Sequence, residues 1–120
     1  MSKRILLVED EADNMQILRD LLASSYEIDE AADGETALAK VAKQRPDLIL
    51  MDIQLPVMDG YEATRRLKAD PASRSIPIIA ITSYALGEDE KRARAAGCDD
   101  FVAKPYSPRV LLAKIREYLS

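Results

Sequence analysis

Acidic residues stand directly after two apolar segments of this sequence, at places where side chains could carry out chemistry. Glu9 and Asp10 follow the apolar run 5–8, and Asp52 follows the apolar run 48–51. Removing an unpaired carboxylate from water is costly. An ionisable group at the end of a buried strand therefore either reaches solvent as a cap or turn residue, or takes part in chemistry.

Two further apolar segments end in other polar groups. Thr82 closes the segment IPIIAIT, and Lys104 follows the short run 101–103. If these segments are parallel strands, their ends share one edge of a sheet. Two carboxylates about 4 Å apart repel each other by about 4 kcal/mol at an effective dielectric of about 20, so a cluster of acids there calls for a cation. Oxygen ligands without imidazole favour Mg²⁺, with Mn²⁺ as the alternative.

Phosphoryl transfer is the chemistry that this combination predicts. A carboxylate can attack phosphorus to form an aspartyl phosphate. Asp52 is the best nucleophile candidate because it stands alone on its strand, whereas Glu9 and Asp10 suit metal ligation. Lys104 supplies an ammonium and Thr82 a hydroxyl for the phosphoryl oxygens. Each residue alone has an ordinary explanation as a cap, turn or surface residue, and only the combination is specific.

Apolar runs alternate with helical patterns along the whole chain. This alternation predicts one α/β domain, with a parallel sheet covered by helices on both faces. In such sheets, ligands bind beyond the carboxyl ends of the strands. The predicted strands are 5–8, 26–31, 48–51, 76–82 and 101–103, and the predicted helices follow them, with apolar spacing over 15–22 and segments at 34–43, 61–68, 88–96 and 108–119.

Composition excludes several classes of protein. The 120 residues fit one domain, and a net charge of −4 argues against non-specific binding to nucleic acid. No apolar run approaches the roughly 20 residues of a membrane span. The absence of histidine excludes Ser-His-Asp and Cys-His nucleophiles, histidine zinc sites and the role of a phosphohistidine donor. A lone Cys98 and the lack of a signal-peptide pattern predict a cytoplasmic protein.

Four segments carry a family resemblance: ILLVEDE (5–11), PDLILMDIQLPVMDG (46–60), IPIIAITS (76–83) and GCDDFVAKP (97–105). Across residues 1–120 the chain resembles the receiver domain of two-component response regulators. Its length is similar to that of stand-alone receivers of the CheY and DivK kind. The resemblance implies a flavodoxin-like (βα)5 fold, a five-stranded parallel sheet of order 2-1-3-4-5 with helices on both faces.

The resemblance also implies roles for individual residues. Asp52 is expected to be the phosphoacceptor, and Thr82 and Lys104 to contact the phosphoryl group. The expected holders of the metal, besides Asp52, are Asp10 as a direct ligand, Glu9 mainly through a bound water, and the backbone carbonyl of Gln54. Thr82 and Phe101 match the switch positions, Gln54 and Tyr84 the positions that tune phosphoryl lifetime, and the Lys104–Pro105 peptide bond is often cis in this family.

The expected partners are a sensor histidine kinase or a histidine phosphotransfer protein, and a downstream protein target. The resemblance implies donor docking on the first helix, around Asp13, Asn14, Met15 and Ile17, with Met15 the preferred contact. The output face is expected on the fourth and fifth strands and helices. Helix 88–96 offers only alanines as apolar residues, which independently predicts that the surface from Tyr84 to Tyr106 responds to phosphorylation.

The sequence predicts a signalling protein that is phosphorylated and is not itself an enzyme. Two alternatives remain open. A phosphohydrolase of the haloacid dehalogenase type also places an aspartate after a strand, but it needs a second acid two residues later, where this chain has Gln54. A pseudo-receiver would bind partners without phosphorylation. A nucleotide-binding domain is excluded, because the glycines at 34, 60, 87 and 97 form neither G-x-G-x-x-G nor a P-loop.

Overall fold

The computed structural model describes residues 2–82 and 87–119, and there five strands alternate with five helices. All neighbouring strands are parallel, as the sequence predicts. None of the described helices has the length and hydropathy of a membrane span. The elements are β1 (Arg4–Val8), α1 (Ala12–Leu22), β2 (Glu27–Ala31), α2 (Gly34–Lys43), β3 (Leu48–Asp52), α3 (Gly60–Ala69), β4 (Ile78–Thr82), α4 (Gly87–Ala96), β5 (Asp100–Ala103) and α5 (Pro108–Leu119).

The strands lie in the order β2-β1-β3-β4-β5, which confirms the flavodoxin-like fold. The chain runs outward from β1 to β2, then crosses back to β3 and continues in the other direction. The order therefore reverses between β1 and β3, which is where a crevice opens at the carboxyl ends of the strands. In the pairing of β3 with β4, Asp52 lies beside Ile81.

Two hydrophobic layers cover the sheet, because successive residues of a strand point to opposite faces. β1 is apolar from Ile5 to Val8 and β3 from Leu48 to Met51, as expected for strands buried on both faces. One layer joins the sheet to α2, α3 and α4 through Ala37, Val41, Ala63, Leu67, Ala93 and Ala96. The other joins it to α1 and α5 through Leu18, Leu22, Leu111 and Ile115.

Aspartates fix the starts of α2 and α3. The Asp33 carboxylate accepts a hydrogen bond from the backbone amide of Thr36, and Asp59 accepts one from Glu62. Such N-caps satisfy amides that have no partner inside the helix. The cap at Asp59 ends the loop that leaves β3, so it sets how close α3 comes to the end of that strand.

Small residues attach α4 to the molecule. Of its side chains from 90 to 96, the buried ones are Ala93 and Ala96. Burying a methyl group contributes far less than burying a leucine or isoleucine side chain. α4 therefore has weaker apolar anchoring than α1 or α5, as the composition of this segment predicts.

Candidate functional site

The polar residues that follow the strands converge on one edge of the sheet. Glu9 comes directly after β1, Asp52 and Thr82 are the last residues of β3 and β4, and Lys104 comes directly after β5. These four strands are consecutive neighbours. The edge predicted from the sequence is therefore present, with its acids, hydroxyl and amine side by side.

Three carboxylates form a cluster at this edge. One carboxylate oxygen from each of Glu9, Asp10 and Asp52 lies within 4.8 Å of the other two. Glu9 and Asp52 are buried, with 3% and 2% of their surface exposed, whereas Asp10 is exposed. Hard oxygen donors at this spacing suit a divalent cation such as Mg²⁺, so the donor set fits the metal that the family resemblance implies.

Lys104 places its ammonium between the two buried acids. Its Nζ atom lies 3.5 Å from Oε1 of Glu9 and 3.5 Å from Oδ2 of Asp52. The backbone amide of Lys104 donates to the Thr82 carbonyl at 2.6 Å, which ties the lysine to the end of β4. The peptide bond between Lys104 and Pro105 is cis, in agreement with the resemblance.

Backbone amides hold the other oxygen of each buried carboxylate. The Gln54 amide donates to Oδ1 of Asp52 at 3.1 Å, and the Glu11 amide donates to Oε2 of Glu9 at 3.3 Å. Each acid therefore has one oxygen on the backbone and one directed at Lys104. This arrangement fixes the orientation of both carboxylates and leaves Oδ2 of Asp52 beside the ammonium.

Gly60 lets α3 approach the backbone of Asp52. Its amide donates to the Ile53 carbonyl at 2.9 Å. A Cβ atom at this position would lie 2.4 Å from the carbonyl oxygen of Asp52 and 2.7 Å from Cα of Ile53. No side chain fits such a gap, because the obstructing atoms are backbone. The sequence indicates a turn at Gly60 but gives no sign of this contact.

The proximity of the two buried acids changes the ionisation of Glu9. Burial, followed by the hydrogen-bonded and negatively charged Asp52, raises the pKa of Glu9 to about 7, although Lys104 opposes the rise. Part of the Glu9 population therefore carries a proton near neutral pH when no cation is bound. A divalent ion held in the cluster would favour the ionised form of Glu9, because a nearby positive charge lowers the pKa of a carboxyl group.

The predicted switch residues lie on one face of the sheet. Phe101 is the register partner of Ala80, and Thr82 stands two residues further along the same strand as Ala80. Thr82 is buried, and Phe101 is half-buried against the layer formed with α2, α3 and α4. Tyr84, a predicted lifetime residue, lies outside the described residues.

An apolar groove of about 430 Å³ borders the site between α1 and the segment after β5. Its walls include Ile17, Pro105 and Tyr106, and it reaches Lys104. Met15, the predicted docking contact on α1, is partly buried against the α1/α5 core, whereas 56% of Ile17 is exposed. Helical spacing alone did not distinguish these two residues.

Comparison with known proteins gives the family. The sequence model of the response regulator receiver domain matches residues 5–116. The chain belongs to the response regulator receiver family. It is 45% identical over 120 residues to the polar-differentiation response regulator DivK of Brucella anthropi, covering 99% of this chain and 98% of that protein.

Solved structures of receivers agree with the fold over nearly the whole chain. A putative response regulator from Chloroflexus aurantiacus has a TM-score of 0.95 at 30% identity, covering 99% of this chain and 98% of that one. The receiver domain of the sensor histidine kinase PA1611 from Pseudomonas aeruginosa has a TM-score of 0.91 at 39% identity, with 98% of both chains covered. That structure contains a magnesium ion in its active site cleft.

This receiver acts in phosphorelay signalling, as its family membership establishes. The phosphohydrolase alternative is not favoured, since Gln54 occupies the place of the second acid that such enzymes need. The pseudo-receiver alternative is not favoured either, because the site retains its three carboxylates and its lysine.

Proposed function

We propose that Asp52 of this receiver accepts a phosphoryl group from a phosphohistidine donor and that the modified domain then changes its partner binding. The observation that carries the proposal is the position of Oδ2 of Asp52, which lies beside Lys104 and within the cluster formed with Glu9 and Asp10. A nucleophilic carboxylate, a cation and further acids at one strand edge match the needs of phosphoryl transfer.

We assign the metal site to Glu9, Asp10, Asp52 and the backbone carbonyl of Gln54. The ion that suits these oxygen donors best is Mg²⁺, and Mn²⁺ would fit the same ligands. When bound, such an ion would neutralise negative charge on the carboxylates and on the phosphoryl oxygens. Glu9 is one methylene longer than an aspartate, and we assign it a contact through a bound water.

The reaction forms one bond and breaks one bond. A carboxylate oxygen of Asp52 attacks phosphorus in line with the leaving nitrogen of the donor imidazole, so the P–O bond forms as the P–N bond breaks. The electron pair of that bond returns to the imidazole. Lys104 and the Thr82 hydroxyl contact the phosphoryl oxygens and stabilise the charge that develops there. The net product is a phosphoaspartate and a free donor histidine.

We further propose that Thr82 and Phe101 convert the modification into a structural change. Phosphorylation adds a nearly dianionic group at the end of β3. Thr82 would move toward it from the neighbouring strand, and the Phe101 ring would enter the space that it leaves. The output face would be formed by β4, α4, β5 and α5. We assign to Gln54 and Tyr84 the tuning of phosphoryl lifetime.

The proposed input partner is a sensor histidine kinase or a histidine phosphotransfer protein, and the output partner is another protein. Donor docking on α1 is supported by Ile17, which is exposed and lines the groove that leads to Lys104. We propose a cytoplasmic signalling protein that is modified once per signal and turns over no substrate of its own. A nucleic-acid or membrane partner has no support in the charge or in the sequence.

Intact-protein mass spectrometry tests the proposal. The full chain would be incubated with Mg²⁺ and acetyl phosphate, and its mass measured over time. We expect the gain of one phosphoryl group in the wild type and no gain in Asp52→Asn. Asp59→Asn is the matched control, because it changes a nearby carboxylate in the same way and asparagine remains a good N-cap.

Other outcomes would contradict the proposal. Steady release of phosphate from phosphate esters, without a stable adduct, would indicate a phosphohydrolase. No gain of mass with acetyl phosphate, phosphoramidate or a cognate kinase would indicate a pseudo-receiver. Equal gain in Asp52→Asn would place the acceptor at another residue.

A further inference from the structure

Two arginines of α4 lie over aromatic rings on either side of that helix. The guanidinium carbon of Arg92 is 4.5 Å from the ring centroid of Tyr61 in α3. The corresponding distance from Arg94 to the Phe101 ring in β5 is 5.9 Å. Both distances are within the reach of about 6 Å of a cation–π contact. These contacts supplement the weak apolar anchoring that Ala93 and Ala96 provide.

Arg94 links α4 to the strand that carries the proposed switch residue. Besides the Phe101 ring, its guanidinium reaches the carboxylate of Glu90, one helical turn earlier, at 3.5 Å. The Glu90 contact lies within α4, whereas the Phe101 contact crosses to β5. A change in the orientation of Phe101 therefore changes the surroundings of this one arginine directly.

Arg94 and Thr82 lie toward opposite ends of the β4–β5 pair, because Arg94 is in the last turn of α4, next to the start of β5, whereas Thr82 ends β4. The Phe101 ring lies on the same face as Thr82, diagonally across the β4–β5 pair. Diagonal neighbours of this kind are close enough for an aromatic side chain to reach. A ring that turned toward Thr82 would move along the strand and leave the guanidinium, so the two positions compete.

We propose that Arg94 is a positioning residue for Phe101, holding the ring in its present orientation and thereby opposing the switch. The inference rests on the proposed function, in which Phe101 is the switch residue. Arg94 would then set the equilibrium between the two orientations of the Phe101 ring in the unphosphorylated protein. Loss of the contact would raise the population of molecules in which the Phe101 ring is turned toward Thr82. A ligand that selects this state would then bind more tightly.

The chain contains a single phenylalanine, which makes a direct test practicable. Growth with fluorophenylalanine labels only Phe101 of the full chain, and its ¹⁹F resonance is recorded with and without Mg²⁺ and beryllofluoride, a phosphoryl mimic. We expect the resonance of free Arg94→Gln to move toward the beryllofluoride-bound position of the wild type. The half-saturating beryllofluoride concentration should fall about two- to fivefold. Arg94→Lys, which keeps a cation, should show a smaller change.

Arg92→Gln is the matched control, because it removes the same charge from the same helix but from the other aromatic ring. We expect it to leave the Phe101 resonance and the half-saturating concentration unchanged. Equal effects of the two substitutions would overturn the inference, since they would indicate a general loosening of α4. An unchanged Phe101 resonance in free Arg94→Gln would also overturn it.

The same experiment separates this inference from the proposed function. The proposed function would be contradicted if the wild-type Phe101 resonance did not change on addition of beryllofluoride and Asp52 gained no phosphoryl group. The resonance of Phe101 in free Arg94→Gln needs no ligand, so it still decides whether the arginine positions the ring. A wild type that responds to beryllofluoride, with no effect of Arg94→Gln on either readout, would contradict the inference alone.

Discussion

Nζ of Lys104 lies 3.5 Å from Oδ2 of Asp52, although the two residues belong to the ends of strands separated by β4. The contact crosses the end of β4, and the Lys104 amide is held by the carbonyl of Thr82. In the proposed transfer to Asp52, this position would let the Lys104 ammonium contact the phosphoryl oxygens.

Replacing Lys104 with glutamine should slow phosphorylation by acetyl phosphate by on the order of 100-fold, the usual effect of losing one group that stabilises a transition state. The rate is measured by intact mass at saturating Mg²⁺. Lys114→Gln is the control, since Lys114 also pairs with a carboxylate, Asp100, at 3.0 Å. Equal rates in Lys104→Gln and wild type would remove Lys104 from the mechanism.

The raised pKa of Glu9 predicts how stability depends on pH in the metal-free protein. The pKa is about 7 in the folded protein and about 4.3 in an unfolded chain. Between these values the folded state binds more protons, so this contribution to stability is complete below about pH 4 and is lost as the pH rises through 7. In EDTA, we expect the ionisation of Glu9 to lower the unfolding free energy of the wild type by on the order of 3 kcal/mol between pH 4 and pH 8. Glu9→Gln should not show this decrease.

Urea unfolding at a series of pH values measures this contribution. The difference between wild type and Glu9→Gln should grow with pH, with the glutamine variant the more stable at pH 8. Glu11→Gln is the control, because its side chain is exposed and it should follow the wild-type curve. Parallel curves for Glu9→Gln and wild type would show that Glu9 has an ordinary pKa.

Gly60 should be far less tolerant of alanine than Gly34, although each glycine begins a helix after an aspartate N-cap. A Cβ at Gly60 would meet the Asp52 backbone oxygen at 2.4 Å, whereas at Gly34 the nearest atoms would be the Met58 sulfur at 3.0 Å and the Met58 backbone oxygen at 3.1 Å. We expect Gly60→Ala to cost at least about 2 kcal/mol and Gly34→Ala less than about 1 kcal/mol of unfolding free energy. Similar costs in chemical denaturation would refute the close approach.

Val57 should be a site where substitution stabilises the protein. It has a φ of 65° and is fully exposed, and the Met58 amide donates to the Pro56 carbonyl across it, forming a γ-turn. A β-branched residue rarely adopts a positive φ, whereas asparagine tolerates it. We expect Val57→Asn to raise the unfolding free energy by about 1 kcal/mol.

Val57→Thr is the control for this prediction, because threonine is polar but still branched at Cβ. It should give no gain in a thermal or urea melt. A gain in Val57→Thr equal to that in Val57→Asn would attribute the effect to polarity on the surface instead of backbone strain.

The sequence predicts most of the fold because hydrophobic pattern and turn residues agree along the chain. The bounds of α2 and α5 match the predicted segments to the residue. α1 begins at Ala12, earlier than its apolar pattern, because its first turn has no periodic apolar residue. β4 begins at Ile78 instead of at residue 76, because the proline at position 77 has no amide hydrogen to donate to the hydrogen bonds between strands.

The gathering of the site follows from topology, since the ends of parallel strands share an edge. Three features do not follow from it: the contact of Gly60 with the Asp52 backbone, the raised pKa of Glu9, and the position of Arg94 over Phe101. Each depends on a distance of a few ångströms between side chains or backbone of different elements. Sequence pattern gives the neighbours of an element but not such distances.

The identity of the phosphorylated residue decides whether Asp52 is the phosphoacceptor. After incubation with Mg²⁺ and phosphoramidate, borohydride reduces an acyl phosphate on aspartate to homoserine, and peptide mass spectrometry locates the reduced residue. We expect homoserine at position 52 in the wild type and at no other acid. Reduction at Asp10 or Glu9, or a stable label that borohydride leaves unchanged, would contradict it.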